Sequence, residues 1–390
     1  MNHFLLNLNC INFKYKNYYY FWIFLLIFNL IIMNNENIYI PNYISKIQLK
    51  HFSLLEKEKL FQFLSSLPKE EEDFKNFFSE MTEKEFLKNG ILLLENLQKE
   101  INPNNISQIY YFLIDENINE IIGLYIIKKN NKNSEQNKEI NQIDYIIKEN
   151  FKNKEYDKIG FHLSIKEISK LLKENENEIY IKTKINNFEK YIIIISNNGK
   201  EYKRDSQNIY LKISKNNNQW IHKITLNEID KVELILNDAK NLLKKGGTLQ
   251  WQQGYPNKEN FINDIKENSL YGIYENYNLM CFACFKIGID NDYINIKNGH
   301  WEIKPNNFDL IIHRIAVSKN DHGKNLCVKI LNYGILYGKK NHCVSVKVDT
   351  HEKNIPMIKC IEKVGFKFKG IVSMSTAPND TLRNAYEYII

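Results

Sequence analysis

Apolar residues recur at two spacings along this chain, and the spacing predicts where helices and strands lie. Apolar positions three or four residues apart predict helices at 54–66, 83–99, 165–174, 229–243 and 350–363, with another ending near 267 and one beginning near 326. Alternating or continuous apolar runs predict strands at 109–114, 121–127, 158–164, 178–196, 209–213, 269–274, 279–287, 310–317, 343–348, 366–371 and 383–390. A polar tract divides these elements, predicting blocks at 34–216 and 222–390 with a linker at 217–221.

The stretch 310–331 has the clearest chemical character. A β-type run ends at Val317, a polar loop carries Gly323 and Lys324, and a helical pattern begins at Leu326. The free N–H groups and the positive dipole end of a helix N-terminus favour an anion, so this order is typical of a phosphate-binding loop. Many strand–loop–helix units bind nothing, so the stretch alone does not show whether this loop binds a phosphate.

The run 18–33 is the most apolar part of the chain. Its sixteen residues are short for a bilayer span, which needs about 20. Two explanations stay open: a membrane anchor, or a start assigned too early with the natural start at Met33. The second explanation predicts a cytoplasmic protein.

Composition narrows the classes of partner. The chain has a net charge of +7. Nearly all of its basic residues are lysines, and the only arginines are Arg204, Arg314 and Arg383. Base-reading surfaces rely on arginine, so nucleic acid is not an expected partner. Cys281 and Cys284 have metal-ligand spacing, but residues three apart on a strand point to opposite faces, and we predict no metal site and a reducing compartment.

Four motifs follow one another in the second block: QWQQGYP at 250–256, IHRIAVS at 312–318, DTHEKNIPM at 349–357 and EKVGF at 362–366. In this order they resemble the GNAT family of acetyl-CoA-dependent N-acetyltransferases. The resemblance implies an α/β (α+β) fold, in which helices flank a mixed, mostly antiparallel sheet with splayed central strands. The first block resembles the same family more faintly, which predicts a degenerate second copy in tandem.

The resemblance implies acetyl-CoA as co-substrate, with its pantetheine arm between the splayed strands and its pyrophosphate on the loop. The positions that match the family's cofactor contacts are Ile315, Ala316, Val317, His322, Gly323, Lys324, Asn325, Leu326, Cys327, Asn354 and Met357. A backbone N–H near Val317 would stabilise the oxyanion of the acetyl transfer. The loop departs from the family's pattern at His322, Asn325 and Cys327, which predicts weakened pyrophosphate binding.

Acetyl transfer to an amine needs a base and an acid. Candidates for these roles are His313, Glu302 and Tyr386, because the family's tyrosine in the last helix is replaced by Ile361. His313 also fits a core histidine, since Ile311, Ile315 and Val317 share its predicted face of the strand.

Five residues match acceptor positions: Trp251, Tyr255, Asp349, His351 and Glu352. Each has a structural alternative. The two aromatic side chains could cover the helix pair, and Asp349 or Thr350 could cap the next helix.

The resemblance predicts an N-acetyltransferase acting on a primary amine of a small molecule or peptide, and it leaves a homodimer open. The alternative is a pseudoenzyme that binds acyl-CoA weakly or acts through protein contacts. In the first block, the segment 165–168 that follows Ser164 contains no glycine, and Glu167 would repel a phosphate there. We therefore expect it to bind no CoA and to serve as a scaffold, a dimerisation surface or a wall of the acceptor site.

Overall fold

The computed structural model describes residues 46–71, 74–99, 107–130, 140–152, 154–377 and 379–390. The expectations for the apolar run at 18–33 and for a start at Met33 lie outside these ranges. Within them, no helix is long and apolar enough to cross a membrane. Backbone contacts group Asn42–Ile390 as one compact unit.

The first half of this unit is a seven-stranded sheet with helices on its faces, in the strand order β1-β4-β5-β6-β7-β9-β8. A small hairpin, β2–β3, stands outside that sheet. The strands are β1 (Ile47–His51), β2 (Glu70–Glu71), β3 (Phe74–Lys75), β4 (Ser107–Asp115), β5 (Glu120–Asn130), β6 (Ile140–Ile147), β7 (Glu178–Lys184), β8 (Lys200–Arg204) and β9 (Asn208–Ser214). The helices are α1 (Lys57–Ser65), α2 (83–99), α3 (Tyr156–Leu171) and α4 (Phe188–Ser196).

The second half repeats this topology in the order β10-β11-β12-β13-β14-β16-β15. Its strands are β10 (Gln219–Lys223), β11 (Leu270–Glu275), β12 (Asn278–Ile287), β13 (Asp309–Val317), β14 (Ser345–Thr350), β15 (Lys367–Ser373) and β16 (Leu382–Ile389). Its helices are α5 (Ile229–Lys245), α6 (Lys258–Lys266), α7 (Leu326–Lys340) and α8 (Ile355–Val364). The matching orders confirm the predicted mixed α+β fold and its tandem repetition.

Three sequence expectations are wrong. The predicted strand 158–164 and helix 165–174 form the single helix α3, because a short apolar run is equally typical of a buried helix. The predicted strand run 178–196 ends at β7 and continues as α4, which begins at Asn187, whose side chain accepts a hydrogen bond from the N–H of Lys190. The predicted linker 217–221 overlaps β10, which pairs with β11 at the edge of the second sheet.

Both sheets open at the same place in their topology. The parallel pairing of β13 with β14 runs from Asp309–Ser345 to Ile312–Val348 and then stops, although β13 continues to Val317. The parallel pairing of β6 with β7 is shorter still and ends at Asn141–Ile181. The predicted splay of the central strands is therefore present in both halves.

One hydrophobic cluster contains residues of both halves. At its centre, a column of rings runs from α3 across β10 to β11. His162 stacks on Trp220 at 4.6 Å, Trp220 lies 4.3 Å from His222, and His222 stacks on Tyr274 at 4.0 Å. Nε2 of each histidine is buried and has no hydrogen-bond partner in the part of the chain that the structure describes.

The column makes the fold sensitive to acid. Burial lowers the pKa of His162 to about 3 and lowers that of His222 as well. The folded chain keeps both rings neutral, whereas the unfolded chain protonates them below pH ~6.5. The two histidines therefore make their full contribution to stability above that pH. This contribution is lost as the pH falls towards the folded pKa.

We expect the free energy of unfolding to fall by roughly 2 kcal/mol between pH 7.5 and pH 5, from His162 alone. Urea titrations at a series of pH values measure this loss. His162→Phe keeps a stacked ring without a titrating group, so its stability should depend less steeply on pH. The exposed His300 serves as the control, and His300→Phe should keep the wild-type slope. Equal slopes for all three proteins would contradict the role of the column.

Candidate active site

A β-bulge in β13 organises the candidate site. Opposite β12, Ala316 pairs with Phe282, but His313 pairs with Cys284, so two residues of β13 face one residue of its neighbour. The bulged Arg314 takes a left-handed backbone, with φ of 51°. A bulge of this kind bends its strand, which agrees with the end of β14 pairing one residue before His313.

The bulge changes which side chains share a face. Ile315 and Val317 pack against the cluster beneath α7 and α8, whereas Ile311 lies in the cluster of Tyr293 and Trp301 on the other face. The predicted common face for His313, Ile315 and Val317 is therefore wrong. The prediction assumed that side chains alternate regularly between the two faces of the strand. The extra residue at 314 reverses this alternation for the residues that follow it.

Arg314 is held by contacts from α6 and from the loop before it. Its Nε and Nη2 donate to both carboxylate oxygens of the buried Asp264, at 2.8 and 2.7 Å. Its Nη1 donates to the hydroxyl oxygen of Tyr255. This pair of contacts stabilises the bulge and fixes the aromatic loop beside it.

The loop after β13 keeps the backbone shape of an anion site. Gly323 and Asn325 both have positive φ, 83° and 57°, and α7 begins at Leu326. Asn325 makes no side-chain cap, and its amide oxygen accepts from Nζ of Lys363 at 3.2 Å. The N–H groups of the first turn of α7 are therefore not taken up by a capping side chain.

A cleft of about 490 Å³ runs from this loop along the splay to the loop between α5 and α6. It brings together most of the residues that the sequence proposed. The proposed residues that line it are Trp251, Tyr255, His313, Ile315, Ala316, Val317, His322, Gly323, Asn325, Leu326, Cys327, Asp349, Asn354 and Met357. All of its lining residues lie between 239 and 383, so the first half contributes no described residue to this cleft.

Five proposed residues are not among those that line the cleft. Tyr386 is buried against the ring of Phe368, on the α7–α8 face of the sheet. Glu302 has a largely exposed side chain that binds Nζ of Lys369 at 2.6 Å. The periodicity of the sequence could not place either residue, because both positions depend on how β16 and the 288–308 loop pack.

The other three lie near the rim. Nζ of Lys324 binds Asp321 at 2.8 Å and is exposed. The ring of His351 is buried and pairs through Nε2 with Asp380 at 3.1 Å, while Glu352 is exposed. The sequence placed these residues in the site by their neighbours, but their side chains point elsewhere.

His313 and Asp349 meet where the two strands part. Since Ile312 pairs with Val348, His313 and Asp349 follow on the opposite face, beside each other. Nε2 of His313 lies 3.0 Å from Oδ2 of Asp290. His313 lines the cleft and contacts a carboxylate.

Asp349 is held by the hydroxyl of Tyr293, which donates to its Oδ1 at 2.7 Å. Burial raises the pKa of the Asp349 carboxyl, against the lowering effect of His313 and of this hydrogen bond. Asp349 does not cap α8, which begins after Asn354, so the capping alternative is also wrong for it. A carboxyl held by a neutral hydroxyl at the cleft wall is suited to an ammonium group.

Sequence reasoning missed Asp290 and Arg314 as members of the site. Arg314 stood out only as one of three arginines in the chain. Asp290 follows β12 in a loop, and its contact with His313 depends on a fold of that loop that no local pattern announces.

No protein-family model matches the chain. No curated protein matches it either.

Among solved structures, the chain is similar to a GNAT-family acetyltransferase from Streptococcus agalactiae, with 32% identity over 44% of this chain and 95% of that chain, and a TM-score of 0.40. It is also similar to a putative acetyltransferase from Staphylococcus aureus, with 24% identity over 43% of this chain and 97% of that chain, and a TM-score of 0.33. The 32% identity to the first protein extends over nearly its whole length, and this value indicates the family.

The loop geometry leads to a test of the altered positions. Asn325→Gly removes a side chain from a left-handed position, and Cys327→Gly removes bulk from the cleft wall at the start of α7. We expect each change to tighten coenzyme A binding by about threefold to tenfold, on the order of 1 kcal/mol. Isothermal titration calorimetry measures the dissociation constants, with Asn320→Gly, on the preceding exposed turn, as the control. An unchanged dissociation constant would show that these two side chains do not limit binding.

Proposed function

The chain belongs to the GNAT family of acetyltransferases, and we propose on this premise that it transfers an acetyl group from acetyl-CoA to a primary amine of a small molecule or peptide. The observation that carries the proposal is the continuous cleft between the splayed strands. At one end it has an uncapped helix N-terminus, and at the other it has a histidine and a carboxyl side by side.

Acetyl-CoA fits this cleft as a substrate. The backbone of Ile315–Val317 has no β14 partner, so it offers hydrogen bonds to an extended amide-containing arm. The backbone N–H groups around Gly323 and Asn325 suit a pyrophosphate. Asn354 and Met357 line the cleft between these two regions.

The reacting groups follow from the other end of the cleft. The acceptor ammonium binds beside Asp349, and His313 takes a proton from it. The neutral amine then attacks the thioester carbonyl, the C–N bond forms and the C–S bond breaks. The departing thiolate takes a proton, and the nitrogen of the new amide loses its extra proton, which replaces the one given to the thiolate. A backbone N–H near Val317 stabilises the oxyanion.

Tyr255 is the best-placed proton donor for the thiolate. Its hydroxyl oxygen accepts from Arg314, which leaves its own proton free to donate. Burial raises the pKa of Tyr255, and Arg314 only partly opposes this, so the phenol stays protonated at neutral pH. This residue takes the role for which the sequence had offered Tyr386.

The loop substitutions support a lower affinity for coenzyme A than the family's pattern would give. Nε2 of His322 already lies 3.3 Å from the carbonyl oxygen of Val317. Cys327 presents its Sγ towards Met357 at 3.4 Å and narrows the cleft at the helix start. These features also favour the alternative function, a pseudoenzyme that acts through protein contacts.

The first half has a different residue at the corresponding helix start. The segment that follows β6 and precedes α3 is 148–155, not 165–168 as the sequence suggested, and it too has no glycine. Glu155 takes the left-handed position there, with φ of 64°, as Asn325 does before α7. Its carboxylate accepts from Nζ of Lys158 at 2.6 Å and from the backbone N–H of Lys223 at 3.1 Å. A protein carboxylate and β10 therefore lie where a phosphate would bind.

The first test measures turnover. Acetyl-CoA with a panel of primary amines should release free thiol, and His313→Gln should lower kcat by about 100-fold or more. Tyr255→Phe should lower kcat while coenzyme A binding stays unchanged. Glu302→Gln, at an exposed position outside the cleft, is the control. No thiol release with any amine, together with no thermal shift from acetyl-CoA, would favour the pseudoenzyme.

The second test counts the cofactor sites. We expect calorimetry to give one coenzyme A bound per chain, because Glu155 and Lys223 fill the first half's equivalent position. Two changes in the loop of the second half, Gly323→Pro and Leu326→Asp, should abolish binding altogether. A residual second site in that variant would refute the assignment of the first half as a scaffold.

A further inference from the structure

The turn that follows β12 supplies a partner for each of the two groups at the strand split. Asp290 and Tyr293 lie on one short turn, Asn291–Tyr293, that packs on the face of the sheet carrying His313. Asp290 reaches the imidazole of His313, and Tyr293 reaches the carboxyl of Asp349. One rigid turn thus contacts both proposed reacting side chains.

The turn itself is held in place by Trp301. The ring of Trp301 stacks on that of Tyr293 at 5.5 Å, and its indole N–H donates to the backbone oxygen of Tyr293 at 2.7 Å. The ring of Tyr293 also meets that of His313 edge-on, at 6.0 Å between centroids. These contacts leave the imidazole little freedom to rotate away from Asp290.

The two carboxylate oxygens of Asp290 have separate tasks. Oδ1 accepts the backbone N–H of Asp292 at 2.9 Å and closes the turn. Oδ2 lies 3.0 Å from Nε2 of His313. Burial would raise the pKa of Asp290, but the hydrogen bond and charge of His313 outweigh it and lower the pKa, so the group is a carboxylate and can only accept.

We propose that Asp290 is the positioning residue of this site: it accepts the N–H at Nε2 of His313, fixes that tautomer, and leaves the lone pair on Nδ1 to take the proton of the acceptor ammonium. The assignment rests on the proposed acetyl transfer. The proton moves from the ammonium to Nδ1, and the imidazolium later releases it to solvent. The negative charge of Asp290 stabilises the imidazolium that forms in between.

The charges that surround the ring agree with this direction of transfer. Asp290 on the turn and Asp349 on β14 flank His313, so two carboxyl groups lie beside the ring. The nearest cations act on the carboxylates rather than on the ring: Lys286 of β12 acts on Asp290, and Arg383 of β16 acts on Asp349. The neighbouring Arg314 is occupied by Asp264.

Asp290→Asn is a sharp test, because it keeps the size of the side chain and the oxygen that closes the turn. Its amide nitrogen then faces His313 and donates, so Nε2 must become the acceptor and the proton must move to Nδ1. Nδ1 then carries a proton and cannot act as the base, although the imidazole is still present. Asp292→Asn is the matched control: Asp292 lies in the same turn, but its carboxylate accepts from Ser375 and does not contact His313.

We expect Asp290→Asn to lower kcat by about 100-fold or more, with the KM for acetyl-CoA within about twofold of wild type. Asp292→Asn should keep both values within about twofold. Asp290→Glu retains an accepting carboxylate and should recover part of kcat, which a purely structural role would not predict.

The second readout does not depend on activity. Nitrogen-15 NMR of histidine-labelled protein reports the tautomer, and His313→Gln identifies the His313 signal. Wild type and Asp292→Asn should show the proton on Nε2, and Asp290→Asn should show it on Nδ1. An active wild type whose kcat and tautomer are both unchanged in Asp290→Asn would overturn the inference. A wild type that acetylates no amine, but whose tautomer still switches, would reject the proposed function and keep the Asp290–His313 pair.

Discussion

The left-handed backbone of Arg314 is the constraint on which the second half depends. A bulky residue in this conformation costs about 1–3 kcal/mol and persists only where its surroundings hold it. Here the fork of the guanidinium binds both oxygens of a buried carboxylate on α6, Asp264. Because the extra residue bends β13, the strand separates from β14 and the cleft opens. The same residue turns His313 and the guanidinium to one face and aligns the aromatic loop at Tyr255.

The two halves show one topology with different occupants at the same point. In the second half, the helix after the splayed strand begins at Asn325, and its first turn faces the cleft. In the first half, the equivalent position is Glu155, whose carboxylate joins the buried Lys158 and the backbone of β10. Lys158 in turn donates to the hydroxyl of Tyr333 on α7, at 3.0 Å. The helix start of the first half is thus part of the contact that joins it to the second half.

The polar groups of the core serve two purposes. The ring column between the halves buries two neutral histidines, which ties the joint stability of the halves to pH. At the mouth of the strand split, by contrast, His313 lies between two carboxyl groups and opens to the cleft. Burial disfavours the charged form of the two histidines in the column. One residue type is thus structural in one place and suited to proton transfer in another.

Sequence alone determined most of the order of elements in the second half, the strand, loop and helix start at 310–326, and fourteen of the residues that line the cleft. These features depend on local signals: a β-type run, a glycine-containing loop and a helix start lie next to each other in the chain. The tertiary structure decided the bulge at Arg314, the face of His313, the single helix at 156–171 and the contact of Asp290 with His313. Each of these depends on partners far away in the sequence, such as Asp264 for Arg314. Local periodicity carries no information about such partners, so the chemistry of the site became visible only once the chain was folded.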